Sequence, residues 1–248
     1  MNDYQDVFRR VEKKYLLDRA QYSDLLAGIR ARGFRRDSFG LYAVTNLYYD
    51  TADYALIRHS LQKPLYKEKL RLRVYGTAAQ PETPSFVEIK KKFDGVVYKR
   101  RTSLPLREAV IALQLRHMPE GCGQIGREID WLMQRRPLQP TALIAYDREA
   151  YFSEAEPELR LTFDRSLRFR AEALDLTLGS AGWLLLPADQ TLLEVKLPGV
   201  MPIWLCRLLQ DCRARPVSFS KYGTAYASYL SAPVSEKERK PFACLTAS

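Results

Sequence analysis

Basic side chains recur at every second position along several stretches of the chain, and this pattern constrains the fold more than any other feature. The clearest case is YKEKLRLRVYG (66–76), in which the cations are Lys67, Lys69, Arg71 and Arg73. Residues two apart share one face of a β-strand, so these cations would share a face while leucine and valine fill the other. The segment is therefore predicted to be a strand with one charged face and one buried face.

The same alternation predicts further strands with mixed but mainly basic faces. Their polar members are Glu88, Lys90 and Lys92; Lys99 and Arg101; Arg160, Thr162 and Asp164; Glu194 and Lys196; and Arg10, Glu12 and Lys14. An ordinary solvated sheet face is the simple interpretation of one such strand. Like charges on neighbouring strands repel, however, so a recurring basic face favours a bound anion. The net charge of +10 points the same way.

The remaining elements predict an α+β fold with an antiparallel sheet or barrel. Helices are expected over 18–33, with Asp18 as N-cap and Gly33 at the end, and over 52–61, 105–117, 122–135, 201–213 and 221–230. Strands are expected over 45–51, 66–76, 85–104 with an Asp94-Gly95 hairpin turn, 141–152, 158–170 and 190–198. Residues 1–230 would form a single domain, and 231–248 a flexible tail.

Several kinds of site are disfavoured by what the sequence contains. There is no GxxxxGK[ST] loop and no GxGxxG after a strand, so phosphates would be held by side chains. The four cysteines form no CxxC pair and there are two histidines, so a metal would have to use carboxylates, which favours Mg²⁺ or Mn²⁺. Single-stranded nucleic acid remains an alternative because of the strand tyrosines, although acids interspersed among the cations argue against it.

In order and spacing, these segments resemble the VTC-type polyphosphate polymerase domain of the triphosphate tunnel metalloenzyme (CYTH-like) superfamily. The matching segments are RRVEKKYLL (9–17), TNLYYDT (45–51), KLRLRVYG (69–76), FVEIKKK (86–92), YKRR (98–101), YDREAY (146–151), LRLTFD (159–164), LLEVKL (192–197) and SFSKY (218–222). The resemblance implies an antiparallel β-barrel, the triphosphate tunnel, with flanking helices and with the charged face lining the lumen.

The resemblance also implies roles for individual residues. Those expected to act on the transferred phosphoryl group are Arg71, Arg73, Lys90, Arg148, Arg160 and Lys221. Those expected to bind substrate are Lys14, Arg58, Lys99, Tyr146, Lys196 and Ser220. The expected metal ligands are Glu194, Glu88 and Glu12, holding Mn²⁺ or Mg²⁺. Hydrolase and cyclase members begin with E-x-E-x-K, whereas Arg10 replaces the first Glu here, which favours the polymerase branch.

The implied activity is transfer of the γ-phosphoryl group of ATP to a polyphosphate chain. The alternatives are a non-catalytic sensor of polyphosphate or inositol phosphates, and an inorganic triphosphatase. The expected partners are ATP and polyphosphate, without nucleic acid. Because catalytic relatives export their product through membrane segments and none is evident in this sequence, a separate membrane protein is a candidate partner. A cytoplasmic location is expected, since the sequence shows neither a signal peptide nor an apolar span.

Overall fold

Nine strands form one antiparallel sheet in the computed structural model, which describes residues 11–94 and 96–231. The strands are β1 (Val11–Leu17), β2 (Arg35–Asp50), β3 (Tyr66–Tyr75), β4 (Pro84–Phe93), β5 (Val96–Pro105), β6 (Gln139–Phe152), β7 (Arg160–Arg170), β8 (Trp183–Leu184) and β9 (Thr191–Leu197). The helices are α1 (Arg19–Ala31), α2 (Ala55–Leu61), α3 (Leu106–Leu115), α4 (Gly123–Arg135), α5 (Ile203–Asp211) and α6 (Lys221–Ala225). The predicted mixture of helices and antiparallel strands is confirmed.

Local signals account for the beginning and end of α1. The Asp18 carboxylate accepts a hydrogen bond from the backbone N–H of Gln21 at 2.8 Å, and the Gln21 side chain accepts one from the Asp18 N–H at 3.0 Å. This reciprocal capping box satisfies two N–H groups that the first turn leaves free. After the helix, Gly33 adopts a φ of 80°, a conformation that costs glycine little. The prediction of a helix between these two residues is confirmed.

The charged and apolar faces of the sheet are separated as the alternation predicts. Helices α3 and α4 cover one half of the apolar face, where they pack on Leu70, Leu72, Val87 and Ile89. Helices α1 and α5 cover the other half, where Leu161, Phe163, Leu193 and Val195 are buried. Burial of these branched and aromatic side chains holds the helices on the sheet, at about 1.5–3 kcal/mol for each fully buried residue. The opposite face, called here the inner face, carries the charges.

The inner face is concave. Lys14 on β1 donates a hydrogen bond to the carbonyl of Phe219 at 2.9 Å, and Lys69 on β3 donates one to the Ser220 hydroxyl at 3.2 Å. Strands β1 and β3 are far apart in the sheet order β1-β9-β7-β6-β2-β3-β4-β5, with β8 beside β7. Two distant strands therefore reach the same short segment, which requires the sheet to curl around it.

The prediction of a closed barrel is wrong, because β1 and β5 end the sheet and are not paired with each other. The free edge of β1 meets the segment before α6, where the Val217 N–H donates to the Lys14 carbonyl at 2.8 Å. Alternation identifies which residues share a face, but closure depends on the curvature and register of every strand. A chain segment thus occupies part of the β1 edge that a closed barrel would pair with its last strand.

Two element boundaries differ from prediction by several residues, and the others by at most about three. Strand β2 starts ten residues before the predicted 45–51, because Arg35 and Arg36 pair with Phe152 and Tyr151 at the far end of β6. Helix α6 ends at Ala225, and a single π-helical turn follows over Tyr226–Leu230. The β4–β5 hairpin is present, although Gly95 itself lies outside the described residues. Arg10 also lies outside them, as does the predicted tail apart from Ser231. The single domain over 1–230 stays a prediction.

Candidate functional site

The inner face brings together most of the residues singled out from the sequence. Adjacent strands align them in register, with Lys14 opposite Glu194, Arg71 opposite Glu88, Lys90 opposite Lys99, and Arg160 opposite Lys196. We call the resulting surface the charged groove. Its cations are Lys14, Lys69, Arg71, Arg73, Lys90, Lys99, Arg101, Arg148, Arg160, Lys196 and Lys221, and its carboxylates are Glu12, Glu88, Asp164 and Glu194.

On one side of the groove, a single carboxylate is shared by three cations. Glu88 is 1% exposed and lies 2.6 Å from Arg71 Nε, 2.8 Å from Lys99 Nζ and 3.7 Å from Arg73 Nε. Burial alone would raise the pKa of Glu88, but these three charges hold it well below its ordinary value. The cluster therefore keeps an excess of positive charge in a largely buried place.

On the other side, two cations and two carboxylates form a balanced buried group. Arg148 donates two hydrogen bonds to Asp164, at 2.6 and 2.8 Å, and a third to Glu194 at 3.2 Å. Lys221, at the start of α6, lies 2.7 Å from Asp164 and 2.8 Å from Glu194. Paired carboxylates raise the pKa of Lys221 against the effect of burial, so the ammonium stays charged. This group ties α6 to the floor of the groove.

Tyr146 lies beneath these cations. Its ring is 4.5 Å from the Lys221 ammonium and 5.0 Å from the Arg148 guanidinium carbon, within cation–π range. Burial raises the pKa of its hydroxyl, but the nearby charges of Arg148, Arg73 and Lys221 outweigh this and lower it. Tyr146 is 2% exposed, and its ring helps to position Arg148 and Lys221.

Glu12 and Glu194 share the ammonium of Lys14, which lies 3.2 Å from the first carboxylate and 3.5 Å from the second. Lys196 is 3.6 Å from Glu194 as well. Burial would raise the pKa of Glu194, but Lys221, Lys196, Arg148 and Lys14 lower it far below the ordinary range. Burial and the Glu194 charge would raise the pKa of Glu12, but Lys90, Lys14 and Lys196 lower it, so both carboxylates are ionised where they meet Lys14.

Two lysines in the groove have no carboxylate within ion-pair distance among the described residues. Lys69 contacts Ser220, while Lys90 stands beside it on the neighbouring strand. Burial, followed by the charges of Lys90, Lys67 and Lys14, lowers the pKa of Lys69 to about 7. The pKa of Lys90 is also lowered, mainly by burial. Repulsion of this kind is relieved when an anion binds.

The two remaining predicted residues lie at the margins. Arg160 is exposed and opposite Lys196, which places it at one end of the groove. Arg58 is on α2, and its guanidinium pairs with Asp53 at 3.1 Å, with both side chains more than half exposed. The structure therefore aligns Arg160 with the groove, whereas Arg58 lies on a helix and is paired with Asp53.

Sequence reasoning assigned no role to Asp164 or Lys69, although both lie in the alternating pattern. Parity along the strand places them on the inner face. Their importance comes from neighbours on other elements, Arg148 and Lys221 for Asp164 and Lys90 for Lys69. Asn46 was also missed, and its side-chain carbonyl accepts a hydrogen bond from Arg73 Nε at 2.8 Å. Asn46 shows no sequence signal beyond its parity.

The carboxylates suit a divalent cation only in part. No group of three His, Cys, Asp or Glu side chains able to hold a metal occurs within 11–94 and 96–231. Glu12 and Glu194 form a pair of oxygen donors, and Mg²⁺ commonly uses one or two carboxylates while water and phosphate oxygens complete its shell. Glu88 lies in the separate Arg71–Lys99 cluster. The carboxylates therefore suit a divalent cation that is also coordinated by phosphate oxygens of the ligand.

Fold and groove together define a domain built on a curled antiparallel sheet with a strongly basic inner face. A family model described as the VTC domain matches residues 9–230, and the chain belongs to that family. Among curated proteins, no match is found. No helix in the described part of the chain has the length and apolar character needed to cross a bilayer.

Solved structures of other proteins share the fold. A candidate adenylate cyclase from Vibrio parahaemolyticus is 16% identical, with a TM-score of 0.51 over 92% of this chain and 100% of that one. A candidate adenylate cyclase from Bacillus halodurans is also 16% identical, with a TM-score of 0.53 over 85% of this chain and 93% of that one. At this identity the likeness establishes the architecture alone.

Proposed function

We propose that the charged groove binds the phosphates of ATP and of a polyphosphate chain and transfers the γ-phosphoryl group of ATP to that chain. The observation that carries the proposal is the unbalanced positive charge of the groove. Glu88 is shared by three cations, and Lys69 and Lys90 have no carboxylate partner among the described residues. A densely charged linear anion is the ligand that best relieves repulsion along such a surface.

The groove offers what phosphoryl transfer requires. The bond between the γ-phosphorus and the β–γ bridging oxygen breaks, ADP leaves, and a terminal polyphosphate oxygen forms the new bond. Because that oxygen is already anionic, no general base is needed, and positioning and charge stabilisation dominate. Arg71 and Arg73 present forked donors that suit phosphate oxygens, while Lys90 acts as a point charge.

A divalent cation would complete the charge balance. Glu12 and Glu194 would hold Mn²⁺ or Mg²⁺ together with phosphate oxygens, and the ion would neutralise negative charge on the bound polyphosphates. Membership of the VTC domain family supports chemistry on nucleotide or polyphosphate substrates.

The test is incubation of the purified protein with ATP, Mn²⁺ and a short polyphosphate primer, followed by electrophoresis for long chains and an assay for ADP. Lys90→Met should reduce turnover about tenfold or more, since a charged hydrogen bond contributes about 1.5–3 kcal/mol. Lys91→Met is the matched control, because the adjacent residue points to the other face and pairs with Glu128 at 2.7 Å. Equal activity of the two variants would contradict the assignment of the groove.

Binding without turnover is the second candidate. It is favoured by the pairing of Glu88 and Glu194 with cations and by the missing three-ligand metal cluster in the described residues. Calorimetry with tripolyphosphate distinguishes the candidates. Tight binding with neither polymer nor ADP formed would leave a sensor, phosphate release without chain growth would identify a triphosphatase, and no binding at all would refute the anion site.

A further inference from the structure

Four aromatic rings on β2, β3 and β4 continue the inner face beyond the cations of the charged groove. Phe39 lies 5.9 Å from Tyr42, Tyr42 lies 6.1 Å from Tyr75, and Tyr75 lies 5.6 Å from Phe86, with ring planes inclined by 60–75°. The contacts form an unbroken row across three strands. We call these four residues the aromatic mouth.

The row belongs to the same face as the charged groove. Tyr42 is opposite Arg148 in the sheet, and Phe86 is opposite Arg73. Tyr75 follows Arg73 by two residues and therefore points the same way. Burial raises the pKa of Tyr42, and the Arg148 charge acts against this, which places the Tyr42 hydroxyl within the field of the groove.

The aromatic mouth is open to solvent. Phe39 is 77% exposed and Tyr75 is 39% exposed, while Tyr42 and Phe86 are half-buried. A lone exposed aromatic residue is ordinary, but a contiguous exposed patch beside a polar site is typical of a binding surface. Packing of the protein core does not account for this row, since Phe39 in particular buries little of its ring.

Cations adjoin the rings on the groove side. The guanidinium carbon of Arg101 lies 4.8 Å from the centre of the Phe86 ring, and that of Arg73 lies 5.9 Å from the Tyr75 ring. A ligand that packs on these rings and extends into the groove would therefore contact the guanidinium groups of Arg73 and Arg101. The surface combines an apolar, aromatic part with an adjoining basic part.

We propose that the aromatic mouth binds the base of a nucleoside polyphosphate whose phosphates lie in the charged groove. This rests on the proposed function and extends it, because it assigns the place of the nucleoside. A purine or pyrimidine ring stacks on aromatic side chains without needing a hydrogen-bond code, and its phosphate tail supplies the negative charge that Arg73 and Arg101 attract. Inorganic polyphosphate has no group that could use these rings.

The experiment compares ATP with tripolyphosphate, which differ by the nucleoside, in calorimetric titrations of the full chain. Phe39→Ala is the first variant because its exposed ring contributes little to folding, and Tyr75→Leu is the second. Each should weaken ATP binding about tenfold and leave tripolyphosphate binding within about twofold, as expected for loss of one stacking contact. The matched control is Trp131→Ala, since Trp131 is 51% exposed and stacked by Arg135 at 4.0 Å, but lies on α4.

The outcomes separate this inference from the function on which it rests. Unchanged ATP affinity in both aromatic-mouth variants, or an equal loss for ATP and tripolyphosphate, would overturn the base site while the phosphate site stands. A loss in Trp131→Ala equal to that in Phe39→Ala would overturn it as well. Failure of the unmodified protein to bind tripolyphosphate would instead overturn the phosphate-binding groove itself.

Discussion

Replacing Glu88 with Gln removes the one negative charge among Arg71, Arg73 and Lys99 and preserves the shape of the side chain. Glu88 is 1% exposed, and the Arg73 side chain is 7% exposed. Three positive charges would then face one another around a poorly solvated side chain. Breaking a buried ion pair by removing one partner costs about 3–5 kcal/mol. Because the amide oxygen of Gln still accepts a hydrogen bond, we expect the lower end, about 3 kcal/mol.

The same substitution should strengthen phosphate binding. In the unmodified protein Glu88 competes with any bound anion for the three cations at distances of 2.6–3.7 Å. When its charge is removed, tripolyphosphate becomes the main partner of those cations. We expect its dissociation constant to fall about tenfold, which corresponds to about 1.4 kcal/mol.

Urea denaturation with and without saturating tripolyphosphate measures both effects. Without ligand, the free energy of unfolding of Glu88→Gln should be about 3 kcal/mol below that of the unmodified protein. With saturating tripolyphosphate, this difference between the two proteins should shrink by about 1.4 kcal/mol. Glu128→Gln is the matched control, because Glu128 holds Lys91 and Arg100 at 2.7 Å each on the other face, where it is 22% exposed. It should cost about 1 kcal/mol or less. If tripolyphosphate stabilises all three proteins equally, phosphate does not bind beside Glu88 and the reasoning fails.

Two further predictions concern pH and the packing of α2. Lys69 has a pKa of about 7, lowered from its ordinary value, and a bound anion favours the charged form. Tripolyphosphate affinity should therefore be greatest below pH 7 and fall as the pH rises through 7, by up to about tenfold per unit. The Lys69→Arg variant should not show this fall, because arginine stays charged. If the affinities of the two proteins changed equally with pH between 6 and 8.5, the prediction would be contradicted. Asp50, fully buried, accepts hydrogen bonds from two backbone N–H groups at the start of α2, those of Leu56 and Ile57, and also from the Thr51 N–H and the Tyr222 hydroxyl. Asp50→Ala should lower the free energy of unfolding by about 3 kcal/mol or more, whereas exposed Asp53→Ala should hardly move the denaturation midpoint; equal midpoints for the two variants would show that this cap contributes little.

The alternation of charge predicted the composition of the groove well. Strand parity placed Lys14, Arg71, Lys90 and Glu194 on one face, and the structure aligns them there. This works because the two-residue period of a strand is a local property of the backbone. Arg58 lies on a helix, where no such parity applies, and its interaction with Asp53 could not be inferred from spacing.

Side-chain interactions between different strands could not be predicted from the alternation of charge. That Asp164 holds both Arg148 and Lys221 depends on the pairing of β6 with β7 and on the return of α6 across the sheet. The row formed by Phe39, Tyr42, Tyr75 and Phe86 likewise joins residues from three strands.

Local sequence patterns were sufficient to predict the antiparallel α+β class, the β4–β5 hairpin, the ends of α1 and the strand residues that face the groove, because each follows from local backbone geometry and burial. Three features could be recognised only in the folded chain: the sheet stays open between β1 and β5, α6 brings Lys221 beside Glu194, and the pKa of Lys69 is lowered from its ordinary value. Those features depend on sheet curvature and on charges from distant segments. Both arise only when the whole chain has packed.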